Sequence, residues 1–339
     1  MALTLSSPAL LSGGALVRTT PSGPKRTSSL PHPILKLDGH AGPVNALAYS
    51  PSGNHLASAS TDRSVFLWDT RSEYSNWAAL TGHKNAILDL VWDPLANDTL
   101  LYTASADWTA AQFDTTTGTR VRSFRGHDGV VGQIVMPRRA PSQVLLTGSD
   151  DTYVLVWDPR TKWSQDSLET GLPVTALSAS ETGDMVFTAS VDGVVKAYDV
   201  RSKKVLFSLE GHADTVLGLA LSPDGTSLLS SSADGTVRIW DIRPFSATPG
   251  RQVAAMEGTI PGPHSYQHTV PAWSPNGQQV VCASPGDAAV VIWDAATRAI
   301  KYRLPGHKGS ACAVAWHPEE PVVASGGADK SVFVGELDF

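Results

Sequence analysis

The stretch Gly211–Arg243, GHADTVLGLALSPDGTSLLSSSADGTVRIWDIR, decides the fold, because it is the most complete copy of a unit that recurs along the chain. Apolar and polar residues alternate through Thr215–Leu221 and again through Thr236–Trp240, as they do in half-buried strands. Two turns separate the strands. In Ser222–Gly225 the proline presets φ and the glycine accepts a positive φ, while Ala233–Gly235 forms a second, tighter turn. The unit predicts a small antiparallel sheet that must stack on copies of itself, because it cannot bury its own faces.

The copies share one spacing between an Asp in the second turn and a residue on the following strand. Seven such pairs occur: Asp62/Trp68, Asp107/Phe113, Asp151/Trp157, Asp192/Tyr198, Asp234/Trp240, Asp287/Trp293 and Asp329/Gly335. A Gly-His dipeptide opens most units, at Gly39-His40, Gly82-His83, Gly126-His127, Gly211-His212 and Gly306-His307. The repeat length is close to the ~40–45 residues of one propeller blade.

These repeats resemble the WD-repeat family, which implies an all-β fold: a seven-bladed WD40 β-propeller closed by an N-terminal strand. The resemblance also implies a hydrogen-bonded relay in each complete blade, formed by the loop His, a Ser or Thr, the turn Asp and the Trp. The expected members are His40, Ser58, Asp62 and Trp68 in the first unit, His127, Thr147, Asp151 and Trp157 in the third, and His212, Ser230, Asp234 and Trp240 in the fifth. A His held by an Asp also occurs in catalytic sites. Repetition around a ring favours a structural role instead, since an active site has no reason to be made several times.

The two ends of the chain are expected to meet. The last unit ends soon after Gly335-Glu336 and lacks a fourth strand, and the unassigned β-like segment Pro33–Leu37 can supply it. Closing the ring in this way removes two exposed sheet edges. We therefore predict a propeller over residues 33–339 and a disordered tail over residues 1–32, which contain no Asp or Glu and many Ser, Thr, Pro and Gly. An organelle transit peptide has a similar composition and stays an alternative for this tail.

Composition narrows the classes of function. The net charge of −6 argues against binding nucleic acid through a basic field. Two cysteines, Cys282 and Cys312, provide neither a disulfide framework nor a metal cluster, which favours a reducing, intracellular compartment. No P-loop, nucleophile elbow or metal-ligand spacing occurs. We therefore expect no catalytic residues, no cofactor and no metal, and no apolar run is long enough to span a membrane.

Two places break the repeat template and are candidate partner contacts. Trp108 follows Asp107 in a turn, where its ring either lies over its own hairpin or meets a partner. Arg243 and Phe245 follow the fifth Trp-Asp and precede a Pro- and Gly-rich connection over residues 246–268, the longest in the chain. Arg and aromatic side chains supply most of the binding energy in many interfaces.

A closer resemblance is to the spliceosomal members of the WD-repeat family, those of the U5 small nuclear ribonucleoprotein. The segments that carry it are Ser28-Ser29-Leu30, Val237–Phe245 (VRIWDIRPF), Leu304–His307, His317–Pro321 (HPEEP) and Gly335-Glu336-Leu337. The resemblance implies a non-enzymatic scaffold in the nucleus that acts in pre-mRNA splicing. It also implies U5 particle proteins as partners, namely a large central scaffold protein and an RNA helicase, with RNA contact through those proteins rather than direct.

Two other classes of function stay open at this stage. The chain is also compatible with a WD-repeat adaptor of another nuclear complex, such as a ubiquitin-ligase substrate receptor or a chromatin-complex subunit. A propeller enzyme would need convergent polar groups in a central pocket. The positions expected near the ring mouth, Leu88, Gly132, Leu217 and Cys312, are small or apolar, which argues against that reading.

Overall fold

A computed structural model describes residues 28–140, 143–246, 248–262 and 269–337. In these residues the strands form seven four-stranded antiparallel sheets. Blade 1 comprises β2 (Val44–Tyr49), β3 (His55–Ser60), β4 (Ser64–Asp69) and β5 (Ser75–Thr81). Blade 2 comprises β6 (Ile87–Trp92), β7 (Leu100–Ser105), β8 (Thr109–Asp114) and β9 (Thr119–Arg125). Blade 3 comprises β10 (Val131–Val135), β11 (Leu145–Ser149), β12 (Tyr153–Trp157) and β13 (Ser164–Glu169).

The remaining blades continue the same order of strands. They comprise β14 (Ala176–Ala179), β15 (Met185–Ala189), β16 (Val195–Asp199) and β17 (Val205–Leu209) in blade 4; β18 (Val216–Leu221), β19 (Ser227–Ser232), β20 (Thr236–Asp241) and β21 (Gln252–Glu257) in blade 5; β22 (Ala272–Trp273), β23 (Gln279–Ser284), β24 (Ala289–Asp294) and β25 (Ile300–Pro305) in blade 6; and β26 (Ala311–Trp316), β27 (Val322–Gly327), β28 (Val332–Glu336) and β1 (Ile34–Leu37) in blade 7. The predicted all-β, seven-bladed propeller is confirmed.

Strand β1 closes the ring, as the sequence predicts. It pairs antiparallel with β28, and the register places Ile34 opposite Gly335 and Leu37 opposite Val332. The last blade is thus built from the two ends of the chain. Every sheet then has its innermost strand packed toward the centre and its fourth strand at the outer edge.

The hydrophobic core lies between the blades rather than within them. Among the residues that the structure describes, seven clusters of buried side chains occur, and each joins two neighbouring blades. At the interface of blades 1 and 2, for example, Leu67 and Leu80 pack with Ile87 and Phe113. Because burying one such side chain stabilises the fold by about 1.5–3 kcal/mol, the blades hold one another in place.

The long connection contains more structure than its composition indicates. Its central part is β21 (Gln252–Glu257), the fourth strand of blade 5, preceded by a 3₁₀ turn at Pro249–Arg251. Residues 263–268 lie outside the described part of the chain.

The predicted boundary of the N-terminal tail needs a correction. The sequence predicts a disordered tail through residue 32, but the structure places residues 28–30 against blade 7, where Leu30 is buried and the Ser28 backbone N–H donates a hydrogen bond to Glu336. The anchor is a single apolar side chain in a polar segment, which leaves no periodic pattern in the sequence. The rest of the predicted tail, residues 1–27, lies outside the described residues.

Candidate protein-interaction site

The relay of blade 5 links four side chains from four parts of the blade, and His212 comes from the loop before β18. Trp240 on β20 donates Nε1–H to Ser230 Oγ at 2.7 Å, and Ser230 on β19 lies 2.6 Å from His212 Nε2. His212 Nδ1 lies 3.0 Å from the Asp234 carboxylate in the turn between these strands. Since a carboxylate only accepts, the imidazole donates from Nδ1 and accepts the Ser230 proton at Nε2.

The structure brings together the predicted relay residues of blades 1 and 3 in the same way. The His Nδ1 to Asp distances are 2.9 Å in blade 1 and 2.7 Å in blade 3, and the Trp Nε1 donates over 2.9 and 2.8 Å respectively. These contacts join His40, Ser58, Asp62 and Trp68 in one blade and His127, Thr147, Asp151 and Trp157 in the other.

Burial sets the protonation of the relay. It lowers the pKa of His40 and of His127, against the opposing effect of their Asp partners, and so keeps both imidazoles neutral. Burial also acts to raise the pKa of Asp62, but hydrogen bonds from Ser64 and His40 outweigh it and lower the pKa to about 2. The relay is therefore an ionised carboxylate that holds a neutral imidazole.

The same atoms have the order Asp, His, Ser of a hydrolase triad, but the hydroxyl is not available to a substrate. The side chain of Ser58 is fully buried, and so are Thr147 and Ser230. Each hydroxyl also accepts the Trp N–H that lies above it. A nucleophile needs room for an incoming carbonyl group, so the relay does not provide an acyl-transfer site.

Two blades keep the His–Asp contact without the Trp. In blade 2 His83 lies 2.9 Å from Asp107, and Phe113 fills the Trp position without donating. In blade 7 His307 lies 3.0 Å from Asp329, and Gly335 takes the Trp position.

Blade 6 replaces the relay with a different set of contacts that the repeat spacing does not reveal. Arg303 on β25 donates its Nε–H to the Asp287 carboxylate at 2.9 Å. It is thus the donor to the turn Asp that His is in most other blades. Trp293 donates to the backbone carbonyl of Glu257 at 3.1 Å, because Ala283 has no hydroxyl. The signal that could have found Arg303 is a cation on the outer strand of a blade that lacks Gly-His; blade 4 also lacks Gly-His, but its outer strand Val205–Leu209 carries no cation.

Trp108 is 53% exposed in the turn between β7 and β8. Its φ of 69° is left-handed, a conformation that bulky residues avoid. The equivalent turn position is glycine in two other blades, Gly193 and Gly235, which adopt the same φ without strain. Non-glycine residues take a left-handed φ at the same position in the other four blades, at Arg63, Thr152, Ala288 and Lys330, so the strain of about 1–3 kcal/mol is a property of this turn. The feature particular to blade 2 is the half-exposed indole of Trp108.

Phe245 is 96% exposed, in the loop between β20 and β21. The Asp241 carboxylate fixes this loop, since it accepts the Arg243 backbone N–H at 3.0 Å, Arg243 Nε–H at 2.9 Å and the Ser246 hydroxyl at 2.8 Å. These hydrogen bonds hold the pKa of Asp241 well below its usual range. The aromatic ring thus projects from the segment Arg243–Ser246, which these hydrogen bonds hold in place.

Arg251 fastens the same loop from the other side. It donates to the carbonyl oxygens of Arg243 at 2.6 Å and Pro244 at 3.3 Å. Its guanidinium also stacks on Phe207 of blade 4, 3.9 Å from the ring centroid. A preordered loop loses little conformational entropy when it binds a partner.

The central channel has a volume of about 670 Å³ and is lined mainly by small and apolar residues, Leu88 and Cys312 among them. Its most unusual group is Asp89, whose carboxylate accepts the backbone N–H groups of Ile134 at 2.9 Å and Leu90 at 2.8 Å. Burial raises the pKa of Asp89 to about 7. The repeat pattern does not predict this environment, because it depends on the contact with Ile134 in the neighbouring blade.

Within residues 28–140, 143–246, 248–262 and 269–337, no group of three or more His, Cys, Asp or Glu side chains is placed to hold a metal ion. Among the same residues, no helix is long and apolar enough to cross a membrane.

Comparison with known families matches five segments of the chain. The family described as "WD domain, G-beta repeat" matches residues 31–69, 118–158, 165–199, 203–241 and 299–334. The chain belongs to the WD-repeat family. The family description does not match most of blades 2 and 6. In these blades Phe113 replaces the relay Trp and Ala283 replaces the relay Ser or Thr.

The similarity to individual WD-repeat proteins extends over almost the whole chain. The U5 small nuclear ribonucleoprotein 40 kDa protein of Homo sapiens is 39% identical over 326 residues, which cover 96% of this chain and 88% of the relative. The protein of the same name from Dictyostelium discoideum is 37% identical over 318 residues, covering 93% and 87%. Pre-mRNA-splicing factor cwf17 of Schizosaccharomyces pombe is 37% identical over 316 residues, covering 93% and 90%.

Proposed function

We propose that this chain is a scaffold subunit of the U5 small nuclear ribonucleoprotein and acts in pre-mRNA splicing in the nucleus. The observation that carries the proposal is the near full-length similarity to U5 40 kDa proteins and to a splicing factor. Shared single blades would indicate only the fold, because one fold hosts many functions.

The geometry supports a scaffold rather than an enzyme. The relay hydroxyls are buried, and the channel carboxylate of Asp89 is already bonded to two backbone N–H groups. Two large aromatic side chains, Trp108 and Phe245, instead project from ordered turns. Such side chains can bury large areas against a partner at low cost in entropy.

Trp108 and Phe245 lie on opposite faces of the ring. Trp108 is in a turn between the second and third strands of its blade, and Phe245 is in a loop between the third and fourth. In an antiparallel sheet these connections lie at opposite ends of the third strand. We propose the U5 proteins, a large central scaffold protein and an RNA helicase, as the partners of these faces, with RNA held through them.

Affinity purification of the tagged chain under low-salt conditions tests the proposal. We expect U5 proteins and U5 RNA to co-purify, with RNA lost when the partner proteins are stripped. Recovery of ubiquitin-ligase or chromatin-complex subunits without U5 RNA would refute it.

The variants Trp108→Ala and Phe245→Ala identify the face that binds, and each serves as the control for the other. Truncating a central aromatic contact costs 2 kcal/mol or more, which is roughly a 30-fold loss of affinity. We expect one variant to lose U5 components while its melting temperature stays at the wild-type value. If neither variant reduced recovery, these two residues would not be the contacts.

A further inference from the structure

Residues Ser28–Leu30 form a latch across the seam where the ring closes. Leu30 is only 3% exposed and belongs to the cluster of buried residues that joins blades 7 and 1, with Leu37, Val44 and Val332. It lies four residues before β1, so it anchors the strand that closes the propeller.

Two glutamates of blade 7 hold the latch in place. The Ser28 backbone N–H donates to Glu336 Oε1 at 2.9 Å. Ser29 donates twice to Glu320 Oε2, from its backbone N–H at 3.1 Å and from its hydroxyl at 2.9 Å. The hydroxyl of Ser29 is therefore a donor to an acidic group, and its side chain is exposed.

Glu320 connects this contact to the seam itself. Its backbone N–H donates to His317 Nδ1 at 2.8 Å, and His317 Nε2 donates to the carbonyl oxygen of Gly53 in blade 1 at 3.0 Å. His317 is buried. A change at Ser29 therefore acts on a loop that bridges the first and last blades.

We propose that Ser29 is a phosphorylation site for a serine/threonine kinase directed by basic residues, and that the phosphate releases the latch. The sequence before it is Lys25-Arg26-Thr27-Ser28, which places an arginine three residues and a lysine four residues ahead of Ser29. Kinases of this class recognise such basic residues on the N-terminal side of the serine. Residues 1–32 contain no Asp or Glu, so the recognition sequence itself carries only positive charge.

In this reaction the Ser29 oxygen attacks the γ-phosphorus of ATP. An O–P bond forms, the bond from that phosphorus to the β-phosphate bridging oxygen breaks, ADP leaves, and the hydroxyl proton passes to the base of the kinase. The product has lost the O–H donor that faced Glu320 and has gained close to two negative charges. The phosphate on Ser29 and the carboxylate of Glu320 then repel each other, so the contact that held Ser29 becomes unfavourable.

Release of Ser29 weakens the hold on Leu30 and so on β1. Strand β1 is only four residues long, and its pairing partner β28 is otherwise an open edge. We expect phosphorylation to increase opening of β1 and β28 together and to leave blades 2 to 5, which do not contact blade 7, unaffected, because blades contact only their neighbours.

The test uses the full chain with phosphoserine installed at position 29 during translation, compared with wild type by hydrogen exchange and mass spectrometry. We expect amides of Ile34–Leu37 and Val332–Glu336 to exchange about tenfold faster in the phosphorylated protein. Amides of β19 in blade 5 should not change. The matched control carries phosphoserine 29 with Glu320→Gln, which removes the opposing charge and should abolish most of the difference. Unchanged exchange at β28, or an equal increase in the Glu320→Gln protein, would overturn the latch mechanism.

A second arm tests the site. The catalytic subunit of cyclic-AMP-dependent protein kinase, with ATP, is applied to wild type, to Ser29→Ala and to a peptide of residues 22–32. We expect one phosphate on wild type at Ser29 and none there in Ser29→Ala. Modification of the peptide but not of the folded chain, modification at Ser28 instead, or modification of neither would overturn the assignment of Ser29.

Discussion

Replacing Asp234 with alanine removes the acceptor of four hydrogen bonds in the blade 5 relay. The carboxylate takes His212 Nδ1–H at 3.0 Å, the Ala213 amide at 3.0 Å, and the amide and hydroxyl of Thr236 at 2.8 and 2.7 Å. The His212 side chain is fully buried, so its Nδ1–H would keep only the longer contact to Thr236 Oγ1 at 3.2 Å, and losing the carboxylate should cost about 1–3 kcal/mol. Ala213 is exposed, and water replaces the carboxylate there.

We therefore expect Asp234→Ala to lower the free energy of unfolding by about 2–3 kcal/mol once the turn contacts to Thr236 are included. At about 2 °C per kcal/mol, appropriate to a large domain, the melting temperature should fall by roughly 4–6 °C. Thermal unfolding monitored by tryptophan fluorescence measures this shift, and recovery of U5 components at low temperature should stay at the wild-type level.

Blade 4 offers a matched control, because Asp192 occupies the same turn position but Leu172 replaces the histidine. Asp192 accepts the Val194 amide at 3.0 Å and lies 3.6 Å from Lys196. Removing it strands no buried donor, so Asp192→Ala should cost less than about 1 kcal/mol. Equal losses in the two variants would refute the role of the imidazole. An unchanged melting temperature for Asp234→Ala with lost partner binding would make Asp234 an interface residue.

Three further predictions follow from the ring closure, the channel and the Phe245 loop. Deleting residues 1–27 should leave the melting temperature unchanged. Deleting residues 1–37 removes β1, which should lower the melting temperature and cause aggregation through the unpaired edge of Val332–Glu336. Equal melting temperatures for the two deletions would contradict ring closure by β1. Because burial raises the pKa of Asp89 to about 7, the folded state binds this proton more tightly than the unfolded state, so stability falls as pH rises toward and through neutrality. The melting temperature of wild type minus that of Asp89→Asn should therefore increase as the pH is lowered from about 8 to about 5. A difference that does not change with pH would disprove the raised pKa of Asp89. Arg251→Ala should speed amide exchange in the loop that carries Phe245 while changing the free energy of unfolding by about 0.5 kcal/mol or less, and an unchanged loop would show that its order comes from elsewhere.

The sequence was sufficient for the blades, the closing strand and the partners within each complete relay. All three depend on local spacing: alternation marks the strands, proline and glycine mark the turns, and the offset from His212 to Asp234 repeats from blade to blade. The closing strand followed by elimination, since Pro33–Leu37 was the β-like segment left unassigned.

Contacts between blades could not be predicted in the same way. Arg303 contacts Asp287 from the outer strand of the blade. It follows this Asp in the sequence, whereas the relay histidine of other blades precedes its Asp. The environment of Asp89 depends on Ile134 in the next blade. Leu30 is one apolar residue in a polar segment, and its burial is decided by the shape of the seam. Each of these features is a contact between segments whose separation in the sequence does not repeat from blade to blade.

The pairing of β1 with β28 also constrains how the protein is made. Ile34 leaves the ribosome early, but Gly335, its partner across the sheet, is added about 300 residues later, which takes roughly 15–60 s at about 5–20 residues per second. Earlier blades can stack on one another as they emerge, while β1 cannot form its native pairing until Val332–Glu336 has been synthesised. A strand of four residues presents a short edge, which limits the chance of pairing with another nascent chain during that delay. Ring closure therefore follows the synthesis of Val332–Glu336 and the stacking of the earlier blades.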